Sequence, residues 1–198
     1  MSWQDFVLTF VPLFIVIDAF GNLPFVITMG DEKTTSERRR MVHIAVITAT
    51  IVGLVFLFFG RFILDVMDIS VGSFAIAGGI ILLVLSITYM TTGHMVTTIK
   101  EEMVAVVPIG TPLTVGPATI TTLLLLSLQY KFYVVLISFA VNMVITWAVF
   151  LLSQRIAAVM GEGGIRAISR VFSLLLAAIA VSMVINGLDL IGIINIPV

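Results

Sequence analysis

The sequence predicts an all-α integral membrane protein with six transmembrane helices, arranged as two inverted repeats of three helices each. Of the 198 residues, 60% are hydrophobic and 11% are charged, with a mean hydropathy of +1.23. A soluble domain carries about 25% charged residues. The charges divide the chain into six long apolar stretches, and prolines and glycines interrupt the first and the fourth of these at matching positions.

The composition also excludes several classes of protein. Ten basic and eleven acidic side chains are too few to cover a folded soluble protein of this size. A net charge of −1 provides no basic face for nucleic acid. Because the chain has no cysteine and two histidines, we expect no disulfide, no thiolate or all-histidine metal centre, and no cofactor.

Six stretches are each long enough to cross a bilayer as a helix, which takes about 20 apolar residues. They are residues 6–29, 41–60, 69–99, 103–130, 132–154 and 171–188. Asp18 is the one charged residue inside them. Their continuous apolar character favours helices, because the strands of a membrane barrel alternate over about ten residues.

The basic residues predict the orientation of the chain. Two of them, Arg61 and Lys131, follow the second and fourth stretches. The other eight follow the first, third and fifth stretches: Lys33, Arg38, Arg39, Arg40, Lys100, Arg155, Arg166 and Arg170. Since cytoplasmic loops are enriched in Lys and Arg, we expect this second set in the cytoplasm and both termini outside.

The charged segment 31–40 (DEKTTSERRR) has two interpretations. Basic clusters beside a membrane attract anionic lipids, so the segment could clamp their headgroups. A solvated loop that follows the positive-inside rule is the simpler interpretation, and the three acids in the segment favour it.

We predict a single transmembrane domain over residues 1–198, and matched prolines indicate that its two halves are repeats. A shift of 93 positions lays Pro24 on Pro117, and it aligns Phe20 with Leu113 and Ile27 with Ile120. We therefore predict a first repeat over residues 1–93 and an inverted second repeat over residues 94–198. Proline- or glycine-interrupted spans at corresponding positions of two such halves indicate the binding site of a transporter.

The candidate site lies at these two breaks. A broken helix exposes backbone groups that hydrocarbon cannot satisfy, so a break must face protein, water or a ligand. Freed N–H groups suit a carboxylate, and freed carbonyls suit a cation. We expect the free N–H groups near Gly21 and Gly116 to bind the carboxylate of a substrate. The predicted substrate- or ion-binding residues are Asp18, Gly21, Asn22, Pro24, Thr111, Pro112, Thr114, Gly116, Pro117 and Asn142. The alternative at each proline is a simple packing bend.

Asp18 lies in the middle of the first stretch. Because a charge at that depth costs at least about 2.5–3.5 kcal/mol, it is expected to bind a cation, a proton or a substrate ammonium group. The alternative is a protonated Asp18 that caps the broken helix by accepting a backbone N–H. Asn142 has the corresponding alternative of a hydrogen bond between helices.

Close helix packing is predicted in the third and sixth stretches. Ala75 and Gly79 have the spacing of small residues at a helix contact, and so do Ser173 and Ala177. Such packing also allows two halves of a protein to slide past each other.

These motifs resemble those of the MarC family of integral membrane proteins. The similarity covers essentially the whole chain and is carried by residues 18–25 (DAFGNLPF), 77–80 (AGGI), 111–120 (TPLTVGPATI) and 174–181 (LLLAAIAV). The chain departs from the family pattern at Ala19, Ala118 and Ser173, where proline, glycine and glycine are usual. The resemblance implies a six-helix inner-membrane protein of a group similar to amino-acid exporters. Some relatives are described as transporters of glycine and alanine.

We therefore expect a secondary transporter of small neutral amino acids or similar solutes that works by alternating access. Its binding site is expected between the broken first and fourth helices. Asp18 would bind the substrate ammonium group or a coupling H⁺ or Na⁺. The expected partners are membrane lipids and a small-molecule substrate, not nucleic acid, and a monomer and a homo-oligomer both stay open. A passive channel and a non-transporting scaffold or regulator are the alternatives. An enzyme is not predicted, because no catalytic motif occurs and no second intramembrane acid pairs with Asp18.

Overall fold

The computed structural model describes residues 2–30, 33–92 and 115–194, and its regular secondary structure over these residues is entirely α-helical. The helices are α1 (Trp3–Ile17), α2 (Leu23–Gly30), α3 (Thr35–Val66), α4 (Val71–Thr92), α5 (Pro117–Gln129), α6 (Phe132–Leu151) and α7 (Ser153–Leu190). Over the described residues, α3, α4, α6 and most of α7 are long and apolar enough to cross a membrane, and α1 and α5 are shorter apolar helices. The predicted all-helical membrane class is therefore confirmed for this part of the chain.

Side chains at the helix starts explain why several helices begin where they do. The Ser2 hydroxyl accepts the N–H of Asp5 at 3.0 Å and caps α1. Thr34 and Glu37 form a reciprocal capping box at α3, in which Glu37 accepts the Thr34 N–H at 2.9 Å. These side chains satisfy N–H groups that have no partner inside the helix.

The first predicted span is broken, as expected, and the break lies between α1 and α2 at residues 18–22. Pro12 does not produce this break, because α1 continues through it. Pro24 occupies the second position of α2, and Pro117 occupies the first position of α5. Both prolines of the matched pair therefore lie in the first turn of a helix, where the missing N–H costs no hydrogen bond.

The chain after α6 differs from the prediction of a loop between the fifth and sixth spans. Instead, α7 begins at Ser153 immediately after α6 and extends to Leu190. A kink interrupts it at Gly161, where φ is 63° and ψ is 173°, a conformation that glycine adopts without strain. The charged residues of this segment suggested a loop, but a helix outside the hydrocarbon also keeps charged side chains in water.

The most extensive helix contact joins α4 and α7. A Cβ at Gly79 would lie 2.7 Å from the carbonyl oxygen of Ala180, and a Cβ at Gly187 would lie 2.7 Å from that of Gly72. The later residue of α4, Gly79, meets the earlier residue of α7, Ala180, while Gly72 meets Gly187, so the two helices are antiparallel. The expected close packing of α4 at Gly79 is present, and the α7 residues at these two contacts are Ala180 and Gly187. The predicted packing at Ser173 and Ala177 stays a prediction.

The remaining helices pack around the first break. α1 contacts α5, α6 and α7, and α3 packs against α5 and α6. The larger of two clusters of buried residues includes Leu13, Leu23, Leu123 and Phe139, which come from four different helices. The core thus encloses the end of α1 and the start of α2.

Replacing Gly79 by alanine should destabilise the protein. The added methyl group would meet the Ala180 carbonyl and the Val184 backbone, so we expect a loss of about 1–3 kcal/mol in the free energy of unfolding. Unfolding in detergent, followed by circular dichroism, measures this loss. Gly163→Ala is the matched control, because a Cβ there meets no atom within 4 Å. Equal stability of the two variants would contradict the close contact.

Candidate functional site

The break in the first span is built around Asp18, which follows the last residue of α1. Asp18 has φ 47° and ψ 55°, in the left-handed region. Aspartate is one of the few residues besides glycine that adopts this conformation, because its short polar side chain bonds locally. The backbone N–H of Asp18 still donates to the carbonyl of Phe14 at 3.3 Å, so the residue ends α1 and turns the chain away from the helix axis.

The carboxyl group of Asp18 is folded back over the break. Its Oδ1 accepts the N–H of Gly21 at 2.8 Å, and the residue is only 2% exposed. A Cβ at position 21 would overlap the Oδ2 atom of Asp18, so this arrangement requires a glycine there. The hydrogen bond of the predicted cap is therefore present, while the cation- or proton-binding role of Asp18 stays a prediction.

Asn22 completes the break from the other side. Its Nδ2 donates to the carbonyl of Ile17 at 3.2 Å, and its backbone N–H donates to the carbonyl of Asp18 at 3.1 Å. The carbonyl of Ile17 is among those that a helix end leaves without an intrahelical partner. Asp18 and Asn22 thus supply, from their own side chains, bonds that a continuous helix would have made with its backbone.

This geometry changes the expected role of Gly21. The prediction was a free N–H at Gly21 for a substrate carboxylate, but that N–H already donates to Asp18. Any anion bound here would have to replace the carboxyl group of Asp18. Over the described residues, no cluster of three or more metal-binding side chains is found around Asp18 or elsewhere.

The start of α5 presents a different helix end. Gly116 precedes Pro117 in an extended conformation and provides no side-chain cap. Pro117 has no N–H, and the first-turn N–H of Ala118 has no partner inside the helix. Ala118 is 6% exposed. A buried helix start of this kind carries partial positive charge and suits an anion.

The break at Asp18 and the start of α5 contribute residues to the same buried clusters. Val115, next to Gly116, belongs to the same buried cluster as Ile17 and Ala19. Ala118 belongs to a second cluster with Val16 of α1. The residues on both sides of Asp18 therefore share core packing with the residues on both sides of Gly116–Pro117.

Three predicted site residues, Thr111, Pro112 and Thr114, lie outside the described residues.

Asn142 lies in α6, away from the break. Its Nδ2 donates to the Phe10 carbonyl of α1 at 3.2 Å and to the Ser138 carbonyl at 2.8 Å. Phe10 precedes Asp18 by eight residues, which is roughly 12 Å along a helix. A neighbouring bond joins the hydroxyls of Thr9 and Ser138 at 2.7 Å. The observed contacts of Asn142 are those of the alternative interpretation, a hydrogen bond between helices.

Three phenylalanines at the break were not identified from the sequence. The ring of Phe172 in α7 lies 6.0 Å from that of Phe14 and 5.9 Å from that of Phe20, measured between centroids. Phe14 also stacks on Phe10, at 5.7 Å. The spacing of Phe6, Phe10 and Phe14, one every four residues, was the available signal for an aromatic face on α1. This cluster ties the break to α7.

Comparison with known families and proteins gives matches over nearly the whole chain. The family model described as "MarC family integral membrane protein" matches residues 3–191. A UPF0056 membrane protein of Methanocaldococcus jannaschii is 32% identical, over 95% of this chain and 98% of its own length. The UPF0056 membrane protein YvbG of Bacillus subtilis is 28% identical, over 95% of this chain and 96% of its own length. The UPF0056 membrane protein YhcE of Escherichia coli is also 28% identical, over 90% of this chain and 89% of its own length. No solved structure matches.

Gly21→Ala should disrupt the break. The new methyl group would displace the Asp18 carboxyl group and remove its hydrogen bond, so we expect a loss of about 1–3 kcal/mol in the free energy of unfolding. Asp18→Asn should stay within about 1 kcal/mol of the wild type, because asparagine tolerates the same backbone conformation and accepts the same N–H. Thermal unfolding of the purified variants measures both effects. A Gly21→Ala protein as stable as the wild type would contradict the geometry.

Proposed function

The chain belongs to the MarC family of integral membrane proteins, and on that premise we propose that it is a secondary transporter of small solutes, working by alternating access. The observation that carries the proposal is the buried Asp18 at a helix break that shares its core with the start of α5. A titratable group within a membrane span is costly and is a functional-site hypothesis by default. Discontinuous helices at the membrane midplane are the usual binding elements of such transporters.

The proposed architecture has six spans in two inverted repeats: α1–α2, α3 and α4 in the first, and the span ending in α5, α6 and α7 in the second. The helix contacts support it. A two-fold exchange of the repeats that lays Pro24 of α2 on Pro117 of α5 converts the contact of α2 with α6 into that of α5 with α3, and the contact of α2 with α7 into that of α5 with α4. The contacts α3–α6 and α4–α7 map onto themselves, and all of these contacts occur.

The proposed substrate is a small neutral amino acid or a similar small solute. Its ammonium group, or a coupling H⁺ or Na⁺, would bind the carboxyl group of Asp18. Its carboxylate would bind the N–H groups at the start of α5, where the helix dipole favours an anion. Asn22 and Thr111 would provide further hydrogen bonds.

Alternating access would couple the occupancy of Asp18 to the arrangement of the break. The hydrogen bond from Gly21 to Asp18 holds the break in one conformation, and a cation that competes for the carboxyl group would weaken this bond. The break would then rearrange against α7 through the contacts of Phe14 and Phe20 with Phe172. The close α4–α7 contact would be the surface along which the two halves move.

Asp18→Asn should abolish or uncouple transport while leaving the protein folded, because the amide keeps the cap but cannot bind a cation by charge. Screening amino acids and cations by thermal shift of the purified protein identifies a solute to follow, since a bound ligand stabilises the folded state. Uptake of that solute into proteoliposomes then compares the variant with the wild type. Asp65→Asn is the matched control, since Asp65 is an exposed acid at the end of α3. Wild-type flux in Asp18→Asn would contradict the role of Asp18.

The same assay separates the alternatives. Flux that saturates and shows counterflow supports a transporter, whereas flux that rises linearly with concentration indicates a passive channel. A chain that shows no ligand-dependent thermal shift and no flux is better explained as a scaffold or regulator.

Cysteine labelling tests the proposed location of both termini outside the cytoplasm of an inner-membrane protein. The chain has no cysteine, so single serine-to-cysteine variants give one reactive site each. In intact cells with a permeabilised outer envelope, an impermeant maleimide should label Ser2→Cys and Ser70→Cys. Ser36→Cys, just before the basic residues of α3, should react only after the inner membrane is opened. The reverse pattern would contradict the orientation.

A further inference from the structure

A cleft of about 550 Å³ lies where the first turns of α3 meet the junction of α6 and α7. Three of its lining residues are arginines: Arg38 and Arg39 from α3, and Arg155 from α7. The two groups are more than a hundred positions apart in the chain, so only the fold brings them together. The positive-inside rule requires basic residues on one side of a membrane, but it does not require them to converge on one cavity.

Among the described residues that line this cleft, none is acidic. Within the described part of the chain, Arg38, Arg39 and Arg155 form no ion pair with a carboxylate. A guanidinium group is permanently charged and presents planar donors that match a phosphate group in pairs. The described lining of the cleft therefore has the donors and the positive charge that a phosphate anion needs.

His43 adds a polar group with a fixed orientation. Its Nδ1 lies 2.6 Å from the carbonyl oxygen of Arg39, and because a carbonyl only accepts, this nitrogen is the donor. The ring also packs edge-on against Trp147, with centroids 5.6 Å apart. These two contacts hold the imidazole at the wall of the cleft, which it lines together with Arg39.

Apart from Thr35 and Gln154, the rest of the cleft wall is apolar. Phe150, Leu151 and Leu152 line the cleft beside the arginines. Ile47 lies one helical turn beyond His43 and is 56% exposed on the apolar surface of α3. A ligand with a phosphate at one end and hydrocarbon at the other fits both parts of this surface, whereas a free phosphate ion uses only the basic part.

We propose that this cleft binds a phosphate group, as carried by the headgroup of an anionic phospholipid. Arg38, Arg39 and Arg155 contact the phosphate oxygens, and the acyl chains lie along the exposed apolar side of α3. Basic pockets between membrane helices are suited to such headgroups. A free phosphate ion is the second source of the same chemistry. The segment 31–40 is then more than a solvated loop, because part of it forms one wall of a binding site.

Thermal unfolding of the full-length protein in a neutral detergent tests this proposal. Short-chain phosphatidylglycerol, phosphatidylcholine and inorganic phosphate are added separately to the wild type and to the double variant Arg39→Gln/Arg155→Gln. The matched control is Lys33→Gln/Arg170→Gln, which removes two exposed charges outside the cleft. Phosphatidylglycerol should raise the Tm of the wild type and the control by several degrees, and the cleft variant should lose most of that shift.

The three additions also distinguish the two sources of phosphate. A shift with phosphatidylglycerol alone identifies a lipid headgroup, and a shift with inorganic phosphate as well shows that the phosphate group suffices. Both results support the proposal. No shift of the wild type with either, an equal shift with phosphatidylcholine, or the same shift in the cleft variant and in the control would overturn it.

A conservative variant keeps the test valid if the double variant does not fold. Arg155→Lys retains the charge but loses the paired donors of the guanidinium group. It should lower the phosphatidylglycerol shift, whereas Arg170→Lys should not. Equal shifts in these two variants would overturn the proposal as well.

Discussion

The need to satisfy buried backbone groups is the constraint on which the rest of this structure depends. Hydrocarbon provides no hydrogen bonds, so a helix can stop inside a membrane only where the protein replaces the bonds that are lost. At the first break, Asp18 accepts the N–H of Gly21 and Asn22 donates to the carbonyl of Ile17. Gly21 must be a glycine because the carboxyl group occupies the space of its Cβ. The same residue, Asp18, therefore stabilises the break and is the candidate for binding a cation.

The two roles of Asp18 are physically compatible. A carboxyl group that holds a helix break by one hydrogen bond makes the conformation of the break depend on what else binds that group. A continuous helix offers no such dependence, because its backbone bonds are made among residues that a ligand does not touch. The aromatic contacts of Phe14 and Phe20 with Phe172 then connect the break to α7, and α7 packs closely on α4. A change at the buried carboxyl group thus has a direct structural route to both halves of the chain.

The charged residues outside the spans are organised as well. The helical start of α7 was predicted as a loop, yet its position beside α3 is what places Arg155 opposite Arg38 and Arg39. The positive charge on the described lining of this cleft lies next to an apolar surface, which is the environment of a phospholipid headgroup. In the proposed arrangement, charge at this end of the protein would serve recognition as well as orientation.

The sequence by itself determined the membrane class, the long apolar helices and the break around Asp18, since these depend on local composition and on the chemistry of proline and glycine. It did not determine that the Gly21 N–H is occupied by Asp18, that Asn142 bonds to the α1 backbone, or that Ala180 meets Gly79. The sequence also did not predict that three arginines line one cleft. These features depend on side chains from distant segments meeting in space, and only the packing of the helices decides which residues face each other.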